Sequence, residues 1–360
     1  MKWLQSKPFL LLLLPLLGVI IWCSLTNRNE QLKALDIRPV ASSAQAWQKY
    51  LCNRYSDLGI YGLELETLQA LTLGYRDGLD KDLKRSFSAA GAMHVLAVSG
   101  LHTGLLMSAL MALITCFGLR KPLYEQKQKR IVISCFLMLV LIMYAYVTGG
   151  SPSVVRSVIM ACLGLLAYMT SRHPDILNII CASAFIMLIL VPNDWYSVSF
   201  RLSYAAVIAI VLFIKGWHNL LPPVYGNPWK IKIVGYVHEL VGVSIAAQMG
   251  TLPFTLYYFG QISNYFLLTN LLIIPLAWLM MLLFVFLFTI GWIAPLGTAL
   301  SWLLIKTTWC MNTSVRWIEN LPYATTNIAL PVFGIVLVAA GIWGFLIVWY
   351  SATSQRLQWT

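Results

Sequence analysis

The sequence predicts an all-α fold, a polytopic helical membrane protein with about nine or ten transmembrane helices, some of them broken. Hydrophobic residues make up 59% of the 360-residue chain, charged residues make up only 11%, and the mean hydropathy is +0.75. Stretches of about 20 mostly apolar residues, the length that a helix needs to cross a bilayer, recur along the chain. This composition is unlike that of a soluble globular domain.

The apolar stretches predict where the chain spans the membrane. They lie near residues 8–25, 92–118, 131–149, 153–170, 176–191, 195–214, 233–258, 264–290, 296–312 and 330–350. No small-x-small cleavage site follows the first stretch, so residues 1–26 are interpreted as an uncleaved N-terminal transmembrane anchor. Lys306 interrupts the stretch at 296–312, which is also compatible with a position in the membrane interface.

The placement of basic residues predicts the orientation. Lysine and arginine cluster in loops 119–130 and 215–232, whereas connections 148–152 and 191–194 contain neither. The positive-inside rule then places these two basic loops and both termini in the cytoplasm of a bacterial cell, with the chain in its inner membrane. Much of the formal net charge of +12 marks this topology, so it gives little indication of a nucleic-acid partner.

Residues 27–91 are predicted to form an extracytoplasmic segment that carries an amphipathic helix and packs on the membrane body as an appendage. Four residues recur at helical spacing and predict one apolar face: Trp47, Leu51, Tyr55 and Leu58. Gly59 and Gly62 are expected to divide this helix, and a short helix is predicted over 81–90. The remaining residues, 92–352, are predicted to form the transmembrane domain.

Polar residues within the span at 92–118 make it the strongest candidate for a functional element. The run MHVLAVSGLHTG places His94, Ser99, Gly100 and His102 where a simple anchor would carry Leu or Val. Such residues are tolerated at bilayer depth mainly where they face protein or a watery path. Gly100 and Gly104 allow either close helix packing or a broken helix. A third metal ligand is not evident, so neither a metal site nor a cofactor is predicted.

Two further spans begin with a buried arginine. In TGGSPSVVRS, Ser151 or Ser153 is expected to cap a helix that starts at Pro152, and Arg156 follows about one turn later. In SVSFRLSYAA, Arg201 and Ser203 stand at similar places. Two arginines on one side of the bundle predict a vestibule that attracts anions, because the guanidinium fork suits phosphate. The alternative for Arg156 is that it reaches outward to lipid phosphate.

Amides and helix breakers accumulate between residues 244 and 278. The candidates for lining a polar path are Gln248, Asn264 and Asn270. Amide side chains offer donors and acceptors without charge, which suits a polar polymer that slides past them. The alternative is that they join helices by hydrogen bonds.

Four blocks of sequence resemble the ComEC family of competence proteins. They are MHVLAVSGLHTGLL, GGSPSVVRSVIM, SFRLSYAAV and AAQMGTLPFTLYYFGQIS followed by NLLIIPL, in the expected order within about residues 65–290. The resemblance implies a channel that passes one strand of DNA into the cytoplasm during natural transformation. The matched motif positions are His94, Ser99, Gly100, Leu101, His102, Pro152, Ser153, Arg156, Phe200, Leu202, Ser203, Gln248, Pro253 and Asn270. Val95, Thr103 and Arg201 depart from the usual residues of the family.

The resemblance also implies partners. Full-length relatives usually carry a soluble β-domain and a metallo-β-lactamase-like domain, but the histidines of this chain form no His-x-His-x-Asp-His cluster. No enzymatic activity is therefore predicted: the chain is expected to be a minimal channel subunit, the product of a split or truncated gene, or a protein whose partners supply the missing parts. Single-stranded DNA, a cytoplasmic ATP-driven motor, an extracytoplasmic DNA receptor and the lipid bilayer are the expected partners. A homo-oligomer would give a larger conduit, although no residue of the sequence decides this.

Two other classes of function stay open from the sequence alone. A small-solute transporter would also use broken helices with polar residues at the membrane centre. An intramembrane serine protease would use Ser99, because Ala97-Val98-Ser99-Gly100 resembles the Gly-x-Ser-Gly of rhomboid proteases, with a histidine as the base.

Overall fold

The chain is described here by a computed structural model over residues 38–96, 100–116, 127–170, 175–220 and 228–356. The fold is helical, which confirms the predicted class. Its helices are α1 (Arg38–Asp57), α2 (Gly62–Leu68), α3 (Lys81–Ala89), α4 (Met93–Leu96), α5 (Gly100–Cys116), α6 (Lys127–Val147), α7 (Pro152–Met169), α8 (Ile176–Leu190), α9 (Val198–His218), α10 (Pro228–Phe259), α11 (Phe266–Ile290), α12 (Ala294–Glu319) and α13 (Val332–Arg356). A π-helical turn, Gln69–Leu73, continues α2, and a 3-10 turn, Pro192–Tyr196, precedes α9.

Six of the described helices are long and apolar enough to cross a membrane: α6, α7, α9, α10, α11 and α13. Helices α5 and α8 are apolar but shorter. Helix α12 coincides with the interrupted stretch predicted at 296–312, and it is not among the six. The stretch predicted at 8–25 lies outside the described residues. The chain is therefore a multi-pass membrane protein.

The segment before α4 is part of the main core rather than an appendage. Thr269 near the start of α11 donates a 2.6 Å hydrogen bond to the carbonyl oxygen of Ala90. Near the other end of α11, the ring of Phe288 lies 5.8 Å from that of Tyr55. Because this segment contacts α11 near both of its ends, it shares one hydrophobic core with the membrane helices. The side of the membrane on which it lies stays a prediction.

The apolar face predicted for α1 is wrong at Trp47, whose side chain is 53% exposed. The face that packs inward carries Ala44, Gln48 and Cys52 together with the predicted Tyr55, while the predicted Leu51 and Leu58 are partly buried against the core. Gln48 is buried because its Nε2 donates to the carbonyl oxygen of Leu73 over 2.6 Å. A tertiary hydrogen bond thus turns the helix by about one residue from the orientation that hydrophobicity alone predicts.

Helices α9, α10 and α13 pack closely on one another through small residues. A Cβ atom added at Gly250 of α10 would lie 2.5 Å from Cβ of Ala209 and 2.6 Å from the carbonyl oxygen of Ala205, both on α9. The indole nitrogen of Trp349 on α13 donates to the carbonyl oxygen of Phe213 over 3.0 Å. Absence of a side chain at Gly250 is therefore what allows α9 and α10 to approach.

A short antiparallel strand pair joins the connections that flank α11 and α13. Strand β1 (Gln261–Ser263) pairs with β2 (Thr325–Asn327), with Ile262 opposite Thr326. Nδ2 of Asn264 donates to the carbonyl oxygen of Tyr323 over 2.6 Å and to Oγ1 of Thr326 over 2.7 Å. This strand pair was not predicted from the sequence, because each strand is only three residues long.

Candidate functional site: a cavity of small residues and a buried ion pair

A cavity of about 390 Å³ lies between α5, α7 and α9. Its walls are built largely from small and hydroxyl-bearing residues: Gly100, Thr103, Gly104, Met107, Ser108, Ser157, Met160, Ala161, Ser203 and Val207. Gly100, Gly104 and Ser108 follow one another at intervals of four along α5, so they lie on the same face of that helix. The cavity exists because this face presents almost no side-chain volume to α7 and α9.

Gly100 and Gly104 of α5 have different surroundings. At Gly100, an added Cβ would lie 3.3 Å from Cβ of Ser157, so the absence of a side chain allows α5 to approach α7. At Gly104, an added Cβ would meet no atom within 4 Å. Gly100 therefore serves close helix packing, which was one of the two interpretations of the two glycines. Gly104 faces the cavity instead.

Hydrogen bonds between side chains close the polar wall of the cavity. Oγ1 of Thr103 and Oγ of Ser157 share a 2.6 Å bond between α5 and α7. The indole nitrogen of Trp278 on α11 donates to Oγ of Ser108 over 2.8 Å. Thr103 thus holds two of the cavity helices together.

Arg156 is buried beside the cavity and takes part in an ion pair. Its side chain is 1% exposed, and Nη1 lies 3.9 Å from Oδ2 of Asp194 in the turn before α9. Its Nη2 donates to Oγ and to the carbonyl oxygen of Ser199, over 2.9 and 3.1 Å, and to Oγ of Ser153 over 3.3 Å. The guanidinium also lies 5.8 Å from the ring centre of Phe200. These contacts hold the start of α7 against the start of α9.

This arrangement changes three sequence-based interpretations. Arg156 does not reach outward to lipid phosphate, because it is enclosed by protein. It does not offer its charge to an open vestibule either, since it is buried with Asp194 at ion-pair distance, although its Nε and Nη1 have no hydrogen-bond partner among the described residues. Ser151 stands at the cap position of α7, but its side chain makes no capping hydrogen bond, and Ser153 binds Arg156 and Ser199 instead.

Asp194 and Ser199 are the functional neighbours that sequence reasoning missed. Burial raises the pKa of Asp194, and the positive charge of Arg156 opposes that rise. The sequence does contain an indication of the role of Asp194. It is an acidic residue in a short connection between two spans, and that connection carries no other charge. A buried arginine needs a counter-ion, and Asp194 directly precedes a neighbouring span, although Asp175 is nearer to Arg156 along the chain.

Arg201 lies on a different surface of α9 from the cavity. Its Nη1 donates to the hydroxyl oxygen of Tyr258 over 2.5 Å, and its Nε donates to the carbonyl oxygen of Trp195 over 3.2 Å. The guanidinium also lies 6.0 Å from the centre of the Trp195 ring. Arg201 therefore links the starts of α9 and the 3-10 turn to the end of α10.

His94 lies in α4, and His102 lies in the first turn of α5. His94 is exposed, and its Nδ1 donates to the carbonyl oxygen of Gly91 over 3.0 Å. His102 is fully buried. Ser99 lies outside the described residues, so the geometry that a serine protease would need around it is not described. Among the described residues, no group of three or more His, Cys, Asp or Glu side chains is placed to hold a metal ion.

The three amides have separate surroundings. Nδ2 of Asn270 donates to Oγ of Ser244 over 3.1 Å, which joins α11 to α10. Asn264 stabilises the strand pair through its hydrogen bonds to Tyr323 and Thr326. Gln248 is half-buried on α10. Asn270 thus behaves as the interhelical hydrogen-bonding residue that was the alternative to a path lining.

The structure brings together only part of the predicted set. Gly100 and Ser203 line the cavity, and Ser153 and Arg156 form the cluster next to it. His94, His102, Arg201, Gln248, Asn264 and Asn270 are not among the cavity-lining residues. The polar residues therefore form several local clusters, of which the cavity and the arginine cluster are adjacent.

Comparisons with known proteins cover most of the chain. The family described as "Competence protein" matches residues 71–353. ComE operon protein 3 of Bacillus subtilis (strain 168) is 27% identical over 208 residues, which are 58% of this chain and 24% of that protein. An uncharacterized protein of Aquifex aeolicus (strain VF5) is 29% identical over 193 residues, 52% of this chain and 40% of that protein. The chain thus spans less than half the length of these curated relatives. No solved structure matches the chain.

Proposed function

We propose, from the premise that the chain belongs to the Competence protein family, that it forms an inner-membrane channel for the uptake of single-stranded DNA into the cytoplasm. The observation that carries this proposal is the hydroxyl- and glycine-lined cavity between α5, α7 and α9. All three helices lie inside the matched residues 71–353. Hydroxyl groups at membrane depth are expected where they face protein or water, and a path for a polar polymer would use them, although most of the exposed wall of this cavity is apolar.

Strand passage requires the cavity to widen. Its volume of about 390 Å³ is that of a small-ligand site rather than of a pore that spans the bilayer. We expect α5 to move away from α7 and α9, breaking the Thr103–Ser157 hydrogen bond. The Arg156–Asp194 pair would meanwhile keep the starts of α7 and α9 together as one unit.

The proposed orientation follows from the basic loops, and the proposed partners follow from the energy that inward transport of DNA requires. With both termini in the cytoplasm, DNA arrives at the outer side of the inner membrane and leaves on the side of the basic loops. A polyanion that moves inward against the membrane potential needs an energy source. We therefore expect a cytoplasmic ATP-driven motor and an extracytoplasmic DNA receptor to act with this chain.

Filling the cavity tests the proposal. Gly104→Leu places a side chain in open space, so α5 is expected to fold while the cavity loses most of its free volume. We expect at least a tenfold fall in uptake of labelled DNA by the native host, at unchanged protein level in the membrane. The control is Gly344→Leu on the exposed face of α13, where an added Cβ also meets no atom within 4 Å. Normal uptake with Gly104→Leu would overturn the proposal.

The cavity volume also favours a second candidate, a small-solute transporter. Sites for small solutes commonly have volumes of about 300–1,000 Å³, a range that includes this cavity. That function predicts that Gly104→Leu abolishes solute flux through proteoliposomes while transformation by DNA proceeds normally. The two outcomes of the same variant therefore separate the two candidates.

A further inference from the structure

Arg201 carries a positive charge without a carboxylate at ion-pair distance among the described residues. Of the ion pairs between described side chains, none involves Arg201. Asp194 is the one acidic residue between positions 176 and 238, and it lies 3.9 Å from Arg156. A cation in a membrane bundle usually pairs with an anion or faces water. The counter-charge for Arg201 is therefore expected from outside the described chain.

The contacts that hold Arg201 leave one edge of its guanidinium open. Nε donates to the carbonyl oxygen of Trp195 over 3.2 Å, and Nη1 donates to the hydroxyl oxygen of Tyr258 over 2.5 Å. Nη2 donates to no described residue, and it is not one of the buried polar atoms that lack a partner, so it lies at the protein surface. An arginine fork donates two parallel hydrogen bonds to two oxygen atoms of one phosphate. Arg201 is thus held in a fixed orientation with Nη2 and the second hydrogen of Nη1 open to such a ligand.

The length of α9 places Arg201 at the height of lipid headgroups. Helix α9 has 21 residues and is about 30 Å long, the thickness of the hydrocarbon core. Arg201 is the fourth residue of this helix, about 5 Å from its start. Tyr257 and Phe259 flank its partner Tyr258 at the end of α10 and are 56% and 58% exposed. Exposed aromatic side chains concentrate where the hydrocarbon core meets the headgroups, so this end of the α9–α10 pair is expected at that boundary.

The isolation of this cation favours a lipid phosphate over a nucleic-acid strand. No other lysine or arginine occurs between residues 191 and 214 or between residues 240 and 305. These two ranges include the start of α9 and the end of α10. A groove that follows a strand needs cations at several successive phosphates together with bases stacked on aromatic rings. One arginine between aromatic side chains suits one phosphate group at a time.

We propose that Arg201 binds the phosphate of an anionic phospholipid through Nη1 and Nη2, while Trp195 and Tyr258 hold the guanidinium in place. The phosphate then supplies the negative charge that the described chain does not. Because Arg201 lies near the start of α9 and Tyr258 near the end of α10, the bound lipid stabilises the contact between these two helices at that end of the bundle. This lipid site is separate from the cavity, and it does not depend on what the protein transports.

Native mass spectrometry of the full chain in a maltoside detergent tests the site, with phosphatidylglycerol as the probe. Diacylglycerol with the same acyl chains is the matched lipid without a phosphate. We expect Arg201→Gln to weaken the binding of phosphatidylglycerol by about tenfold, because a charge-assisted contact is lost, and to leave the binding of diacylglycerol unchanged. Tyr258→Phe keeps the charge but removes one of the bonds that orient it, so a loss of about threefold is expected.

Arg316→Gln is the matched control for the charge. Arg316 is an exposed arginine near the end of α12 and has no ion pair with a described side chain. Its replacement should change the binding of phosphatidylglycerol by less than about twofold. Equal losses in Arg201→Gln and Arg316→Gln would show attraction by charge alone and would overturn the proposal.

Two further measurements separate the remaining outcomes. Phosphatidylglycerol should raise the midpoint of thermal unfolding of the wild type and of Arg316→Gln but not that of Arg201→Gln. If Arg201→Gln does not fold, Tyr258→Phe decides, and unchanged phosphatidylglycerol binding in that variant would overturn the proposal. A labelled oligothymidylate that loses its binding in Arg201→Gln, while phosphatidylglycerol still binds, would assign Arg201 to a strand and overturn the lipid site. None of these measurements involves passage of DNA, so a negative result bears on the lipid site and not on the proposed channel.

Discussion

Replacement of Asp194 by alanine is expected to lower the free energy of unfolding by about 3 kcal/mol, because it leaves Arg156 buried without its counter-ion. The Arg156 side chain is 1% exposed, so protein rather than water surrounds its charge. The hydrogen bonds from Nη2 to Ser199 remain in the variant and keep the loss at the lower end of the range for buried pairs. Unfolding by SDS in mixed micelles, followed by tryptophan fluorescence, measures the change.

Two further variants show whether the loss comes from the unpaired charge. Asp175→Ala removes an acidic residue at the start of α8, where its side chain accepts a hydrogen bond from the backbone nitrogen of Leu177. This exposed cap should cost only about 1 kcal/mol. The double variant Asp194→Ala with Arg156→Met should recover part of the stability, because no charge stays buried. Equal stability of Asp194→Ala and the wild type would show that the ion pair does not contribute.

Gly250→Ala is expected to destabilise the protein by about 1–3 kcal/mol through a clash between α9 and α10. The new methyl group would lie 2.6 Å from the carbonyl oxygen of Ala205, a backbone atom that moves only if α9 moves. The same SDS titration measures this loss. The effect is opposite to what helix propensity predicts, since alanine favours a helix more than glycine does.

Gly344→Ala is the matched control for that substitution. Gly344 lies in α13 on an exposed face, and an added Cβ would meet no atom within 4 Å. There the gain in helix propensity is unopposed, so stability should stay the same or rise by up to about 1 kcal/mol. A Gly250→Ala variant as stable as the Gly344→Ala variant would contradict the close approach of α9 and α10.

Different kinds of contact join the three helices around the cavity, α5, α7 and α9. Ser157 lines the cavity one residue after Arg156, and Ser203 lines it one turn after Ser199. Helices α7 and α9 are thus joined by ionic and hydrogen-bonded contacts at their starts, whereas α5 is joined to α7 by the Thr103–Ser157 bond. We therefore expect α5 to be the helix that moves when the cavity opens.

The sequence by itself determined the helical membrane class and the positions of most spans, because burial in lipid demands long apolar runs and internally bonded backbone. It also identified the segment that contains α4 and the start of α5 as polar, from His94, Gly100 and His102. It placed Trp47 on the wrong face of α1, because hydrophobicity does not report that Gln48 finds a backbone partner at Leu73.

Only the tertiary structure decided which polar residues meet. Arg156 and Asp194 are far apart in sequence, and only the packing of α7 against α9 makes them a pair. The cavity depends likewise on the rotation of α5, which turns Gly104 and Ser108 toward α7 and α9. Hydropathy records how apolar a segment is, whereas contacts between helices depend on the rotation and height of each helix, which are fixed by packing across the whole bundle.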